Sequence, residues 1–318
     1  MKIRLGFVAM SLELEDASPS KTVTYKSLSK IPESEVRIRK LERLTKENLQ
    51  NTLRVLRHAY AHGIEFYRFT SKLVPLATHE VAEGWDYVSA CKAEFEAIGT
   101  FVKENNMRVG LHPDHFTVIN SPKKDVFQKS LADLEYHDNI LQAMNLDESA
   151  KLVLHVGGKY GSKEPSIERF MKNFRTLPER IQNRIILEND DKIYTADDVL
   201  SICRQLNMPM VLDFHHHRCN SGKTVLSELL PNIMDTWPGE LQPKMHLSSP
   251  KNEKDFRSHA DAIDWDDFSW IIHQLKPLDT DVDIMLEAKN KDLAVLHISD
   301  AIKQNTGWQL FRKGIVII

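Results

Sequence analysis

Side chains of metal-ligand type recur at or just past the ends of short apolar runs along this chain. They are His112, His155, Glu188, Asp213, His216, His246, His259 and Glu287, with Lys244 two residues before His246. Imidazole and carboxylate without thiolate form the donor set of Mn, Zn or Fe(II) rather than of an all-oxygen Mg or Ca site. So many donors exceed the needs of one ion. Shared among two or three ions through bridging carboxylates, they suit in-line displacement at phosphorus, where closely spaced ions hold the attacking and leaving oxygens.

Position separates these residues from other histidines. His112, His155 and His246 interrupt or end apolar strands, where a buried imidazole needs a partner. His58, His62, His79, His137, His273 and His297 fall in helical or loop stretches and read as structural. Lys244 and His246, two apart on a strand, share a face. An ammonium beside cations is repelled, which leaves three states for Lys244: a neutral amine, an anionic carbamate formed with carbon dioxide that bridges ions, or a salt bridge to one of the acids. In the run Asp213 to His217, strict alternation places His215 and His217 beside Asp213, whereas an immediate turn places His216 there. The sequence leaves both open.

Donors at the tips of successive strands converge only if the strands form a barrel or a fan. Strand-like runs cover residues 3–8, 64–69, 107–112, 152–156, 184–188, 208–213, 244–248 and 282–287, and stretches of helical spacing such as Leu49, Leu53, Leu56 and Tyr60 separate them. That is the count of an α/β (β/α)8 TIM barrel with the metal site at the C-terminal ends of its strands, formed by residues 1–318 as a single domain. Gly63 suits a helix C-terminus and Pro165 a helix start. Long connections at 11–45 and 249–264 follow strand tips, the position of substrate-binding loops. The loop after His112 carries His115 and Phe116; the aromatic either stacks on a base or packs beneath its own loop.

The chain has 318 residues, 42% of them hydrophobic, and a formal net charge of −3, so no global charge attracts nucleic acid. Lysines and arginines nonetheless recur after the strand tips, at Lys123, Lys159, Arg218, Lys254 and Lys289 among others, and on one face of a barrel they would make a phosphate-binding rim. No apolar span is long enough for a membrane helix, and Glu13, Glu15 and Asp16 soon follow the first apolar run, which argues against a secretory signal and for the cytoplasm. Cys91, Cys203 and Cys219 lack zinc-type spacing and read as core filler.

IRLGF, FYRFTSKLVP, LHPDHFTVINSP, LVLHVGGKYGSK, ILENDD, LDFHHH, KMHLSSP, His259 and LEAKNKD, in this order over roughly residues 1 to 300, resemble the UV damage endonuclease family, DNA-repair enzymes that nick the strand 5′ to a lesion. That family is similar in fold to endonuclease IV and the sugar isomerases. The resemblance implies a cluster of two or three manganese ions, with zinc or magnesium as alternatives, held by the nine residues named above. It selects His216 from the histidine run and makes Lys244 a carboxylated lysine. Catalytic roles fall to Lys244, Glu188, Glu287 and His246, and DNA contacts to His115, Phe116, Arg68 and Lys159. The expected partner is UV-damaged double-stranded DNA, bound by a monomer with no membrane partner. A pyrimidine dimer in the DNA stacks poorly, which makes the duplex cheaper to bend and to wedge open there.

Two departures stand out. His115 and Phe116 occupy positions where the family usually has Gln and Tyr, and Phe7 and Ser11 stand where members often have Tyr and Asn, so neither of the latter receives a role. An abasic-site endonuclease of the endonuclease IV type is the main alternative, ahead of a sugar isomerase and a non-catalytic damage-recognition module. A carbamylated-lysine amidohydrolase is disfavoured because KIRLGF lacks His-x-His.

Overall fold

The structure is a computed structural model that describes residues 1–305 and 307–318. Eight parallel strands, β1 (Lys2–Val8), β2 (Phe66–Arg68), β3 (Arg108–Leu111), β4 (Lys151–His155), β5 (Ile185–Glu188), β6 (Met210–Asp213), β7 (Lys244–Leu247) and β8 (Val282–Leu286), pair in sequence order. β1 pairs with both β8 and β2, which closes the barrel. The expected TIM barrel is therefore the fold, and each strand lies within or beside the run that the sequence marks out.

Alternation along the strands creates two apolar regions. Outward residues such as Leu152, Leu154, Leu187, Leu212, Met245 and Ile284 join the main core beneath the helices. Inward Val153, Ile186 and Val211 form a separate cluster with Trp237 inside the barrel. Because both faces of the middle strands are apolar, these strands read as continuous hydrophobic runs. Below that layer, Asp283 is fully buried and receives a bidentate pair of hydrogen bonds from Arg4 at 2.6 and 2.9 Å, an ion pair from Arg108, and a 2.9 Å hydrogen bond from Gln242. This polar plug seals the end of the barrel opposite the candidate ligands.

A C-terminal hairpin, β9 (Gln309–Arg312) and β10 (Ile315–Ile317), is an element that sequence spacing did not reveal. β10 runs antiparallel to the start of β1, with Arg4 opposite Ile315, while Gly6 to Val8 pair with β2. The first strand thus divides one edge between two partners. Among the described residues no helix is long and apolar enough to cross a membrane.

The two long connections are built rather than slack. Residues expected to be loop up to 45 already enter the helix Ser34–Ala61; its first turn is exposed, and Leu41, a turn and a half further on, is buried against Leu28 and Ala82 with Ile38 packed beside it. The remaining segment is fastened along that helix: Asn48 exchanges hydrogen bonds with both backbone groups of Lys21, Asn51 donates to the Ser18 carbonyl at 3.0 Å, and Arg54 donates to the carbonyls of Glu15 and Asp16 at 3.1 Å. Gly63, at φ 76°, ends the helix as expected. In the 249–264 connection, Pro250 and His259 form an antiparallel bridge that folds the loop back on itself.

Candidate metal centre

Strand register assembles the donors. His155 lies opposite Glu188 across β4 and β5, and Asp213 lies opposite His246 across β6 and β7. Glu188 is the hub. Its buried carboxylate stands 2.8 Å from His246, 3.0 Å from His112, 3.5 Å from His155 and 3.7 Å from His216. Burial opposes its ionisation, but His246 and His155 and the hydrogen bonds from His112 and His246 outweigh that and hold the carboxyl well below its usual range. Burial likewise opposes ionisation of Glu287, and the Arg68 guanidinium together with His246 lowers it decisively. His246 reaches Glu287 at 3.1 Å, and Arg68 is ion-paired to the same carboxylate.

Asp213 settles the ambiguity in the histidine run. A helix begins at Phe214 with Asp213 as its N-cap, accepting a 2.7 Å hydrogen bond from the His216 amide. One turn then brings His216 back to the mouth, 3.9 Å from the Asp213 carboxylate. His215 is buried against Phe256 instead. Burial pushes the Asp213 carboxyl up to about 6. For His216, burial works against protonation, but Asp213, Glu188 and Glu287 prevail and raise it to about 9.

His112–His155–Glu188, Glu188–His246–Glu287 and Glu188–Asp213–His216 each offer ligand atoms within 4.8 Å of one another. All three groups share Glu188. Among the described residues Asp213 Oδ2 is buried without a hydrogen-bond partner, a cost that a bound cation or its waters would remove. The donor set therefore fits divalent ions of the Mn or Zn type. His259 stands at the rim, 3.9 Å from Glu287 and outside the three groups.

Lys244 lies one layer deeper. Its Nζ is 5.4 Å from the centre of the Phe66 ring, and a side chain at Gly110 would meet it at 3.2 Å. Glycine at 110 thus leaves room for the lysine inside the barrel. Among the described residues the ammonium makes no hydrogen bond or ion pair, so the salt-bridge alternative is not what the structure contains. Burial and then the nearby Arg108 push its pKa well below the usual lysine range, with Arg68 and Lys151 adding to the effect against Asp283. Both effects favour the neutral amine over the ammonium.

The remaining candidates lie around the mouth. Phe116 is 61% exposed and therefore does not pack beneath its loop. His115 beside it is also exposed, as is Lys159. Arg68 points its charge at Glu287 rather than into solvent. Part of the expected basic rim is already paired: Arg218 with Asp267, Lys163 with Asp198, and Lys289 with Asp261. A cleft of about 460 Å³, lined by Met10, Arg68, His112, His155, Glu188 and Glu287 among others, opens at this mouth. Another of about 420 Å³ lies at the opposite end near Arg4 and Arg108, away from the ligands. Cys91 and Cys203 are core residues as expected, while Cys219 is half-buried.

Two positioning residues carry no motif of their own in the sequence. Asn189 is fully buried; its side chain donates to the Asp213 carbonyl at 3.0 Å and accepts from the Asp213 amide at 2.9 Å, and its carbonyl is 3.0 Å from His216 Nδ1. Asn120 similarly grips Gly158, through hydrogen bonds at 2.7 and 3.2 Å, and so braces the loop that carries Lys159. Their only sequence signal is adjacency to stronger features, Glu188 in one case and the loop after His112 in the other.

A family model described as UV-endonuclease UvdE matches residues 3–313. A relative named UV DNA damage endonuclease from Bacillus thuringiensis subsp. konkukian is 42% identical over 308 residues, covering 96% of each chain. One of the same name from Bacillus pumilus is 42% identical over 309 residues, again at 96% of each chain. Among solved structures, SacUVDE superposes with a TM-score of 0.85 at 29% identity over 95% of this chain and 98% of that one. Endonuclease IV from Thermus thermophilus, at a TM-score of 0.55 and 14% identity over 95% of this chain and 99% of that one, shares the barrel fold. With nearly its whole length matched by the family model and by these relatives, the chain belongs to the UV-endonuclease UvdE family.

Proposed function

We propose that this protein is a DNA-repair endonuclease that recognises UV-induced lesions, pyrimidine dimers and related damage, in double-stranded DNA and hydrolyses the phosphodiester bond immediately 5′ to the lesion. The observation that carries this reading is the buried Glu188 carboxylate within 2.8 to 3.7 Å of four imidazoles at the barrel mouth. Divalent ions bound there, manganese first and zinc or magnesium as alternatives, would act as Lewis acids on the scissile phosphate and lower the pKa of a water. His112 and His155, Asp213 and His216, and His246 and Glu287 would hold these ions, with His259 available at the rim. Glu188 joins the three groups. Arg68 fixes and neutralises Glu287, which keeps that carboxylate aimed inward.

Lys244 enters as a carbamate. As a neutral amine it would add to carbon dioxide and lose a proton, leaving an anion favoured by Arg108 and Arg68, the cations that disfavour the ammonium there. That anion, reaching up from the layer beneath the donors, would supply one more carboxylate oxygen and help orient the nucleophile. Intact mass under native and acid conditions should differ by carbon dioxide; no difference, together with full activity of Lys244→Ala, would remove the carbamate.

On the DNA side, exposed His115 and Phe116 wedge the weakened base stack while Lys159 holds backbone phosphate. The whole chain works as one domain and as a monomer, in the cytoplasm and without a membrane partner. The test is an end-labelled duplex bearing a single pyrimidine dimer, incubated after chelation and again after manganese is restored. Cleavage immediately 5′ to the dimer, abolished by chelation and restored by manganese, is expected. Cleavage elsewhere, or cleavage indifferent to chelation, would overturn the assignment.

A further inference from the structure

A second convergence of metal donors lies away from the barrel mouth. His58 lies in the last turn of the helix Ser34–Ala61 and His62 follows its end, with ring centroids 4.3 Å apart. Glu13, from the segment that follows β1, reaches both rings: its Oε2 is 3.0 Å from His58 Nε2 and 3.8 Å from His62 Nε2. Behind them, the buried Asp292 carboxylate stands 3.7 Å from His58 Nε2. We propose that Glu13, His58 and His62 form a separate binding site for a zinc-class divalent ion, which clamps the segment after β1 to the helix.

Three features favour a site over a surface ion pair. Tetrahedral donors about 2.1 Å from a zinc ion stand about 3.4 Å from one another, and the two Glu13 to imidazole distances bracket that value. His62 Nδ1 lies 2.9 Å from the His58 carbonyl, so the ring nitrogen that can donate there carries the hydrogen and leaves Nε2 as a lone pair facing Glu13. Two histidines four apart, one in the last turn of the helix and one at its cap, with rings in contact, are a preformed chelate, and a carboxylate from another segment completes three ligands with an open position for water. Asp292 acts as the outer anion. It also anchors the same segment by accepting from the Ser11 hydroxyl and, at 2.9 Å, from the Leu12 amide.

The consequence reaches the cleft. Met10 lines it only three residues before Glu13, so an ion at Glu13 restrains the chain that leaves the barrel mouth. The proposal is independent of which DNA lesion, or which substrate, the mouth accepts.

The test uses the full chain, stripped with chelator and dialysed against zinc, with metal content counted for wild type, H58Q/H62Q and E13Q. The double variant should hold one zinc fewer per chain than wild type, and E13Q should bind that zinc at least tenfold more weakly. Equal zinc content and affinity in all three would overturn the site. Backbone amide exchange across residues 11–18 supplies a readout that activity does not. Zinc should slow it in wild type and leave it unchanged in H58Q/H62Q; no zinc effect in wild type would overturn the clamp. E13Q alters a partly exposed surface residue, so it keeps the test usable if the double variant folds poorly.

Discussion

Glu188 is the residue on which the barrel mouth depends. Replacing it with Gln retains its shape but removes the anion shared by all three donor groups. Losing a bridging ligand forfeits several kcal/mol of transition-state stabilisation, about 10³-fold in cleavage rate, with metal content reduced in parallel. An unchanged rate at unchanged metal content would contradict the hub role. Protonation offers a second check. His216 is raised to about 9 in the ion-free protein, and an ion requires the unprotonated ring. Metal affinity should therefore climb as pH rises toward about 9 and fall as pH drops, with a proton released on binding near pH 8. Calorimetry in buffers of different ionisation enthalpy counts that proton, and none released would contradict the pairing of His216 with Asp213 and Glu188. The residue types at the mouth were legible because imidazole and carboxylate are out of place in apolar strands. His216 was not, since only the turn set by the Asp213 cap distinguishes it from its neighbours. His58 and His62 were read as structural for the opposite reason: on a helix, polar residues are ordinary.

At the scale of elements, the loop after His112 and the strand pair beneath Lys244 make separate claims. Phe116 is largely exposed, so Phe116→Ala should leave thermal unfolding unchanged. Base–aromatic stacking is worth about 1–3 kcal/mol, so binding to dimer-containing duplex should weaken roughly 5- to 150-fold; unaltered binding would remove Phe116 from the interface. Asp283 on β8 is fully buried between Arg4 of β1 and Arg108 of β3. Asp283→Asn strands buried charge, which costs about 3–5 kcal/mol. Chemical denaturation should register that loss, and a shift below about 1 kcal/mol would place this network among ordinary surface ion pairs. Strands were readable as elements because short apolar runs bounded by polar loops are too brief for buried helices and too apolar for the surface. The β9–β10 hairpin was not, because two short strands around Gly314 follow a helix and lie beyond the eight-fold alternation. The helical turns at 34–45 were missed because charged residues surround their few apolar ones, although Leu41 is fully buried in a small cluster with Leu28 and Ala82.

For the whole molecule, closure of the sheet converts scattered donors into a single site. Alternation along each strand sends Arg108, Gly110 and His112, or Lys244 and His246, to the barrel interior at successive levels, so one chain builds a polar plug, an apolar middle and a mouth of candidate metal ligands in layers. The barrel and the end that carries the donors were therefore legible from spacing, whereas the substrate class was legible only through resemblance, since a sugar isomerase would present a similar ring of donors. The most direct measurement is plasmid nicking with manganese, comparing UV-irradiated, depurinated and untreated DNA. Preferential nicking of the irradiated plasmid, lost in Glu188→Gln, is expected. Nicking confined to depurinated DNA would contradict the UV-lesion assignment, and binding to irradiated DNA without any nicking would contradict the enzyme.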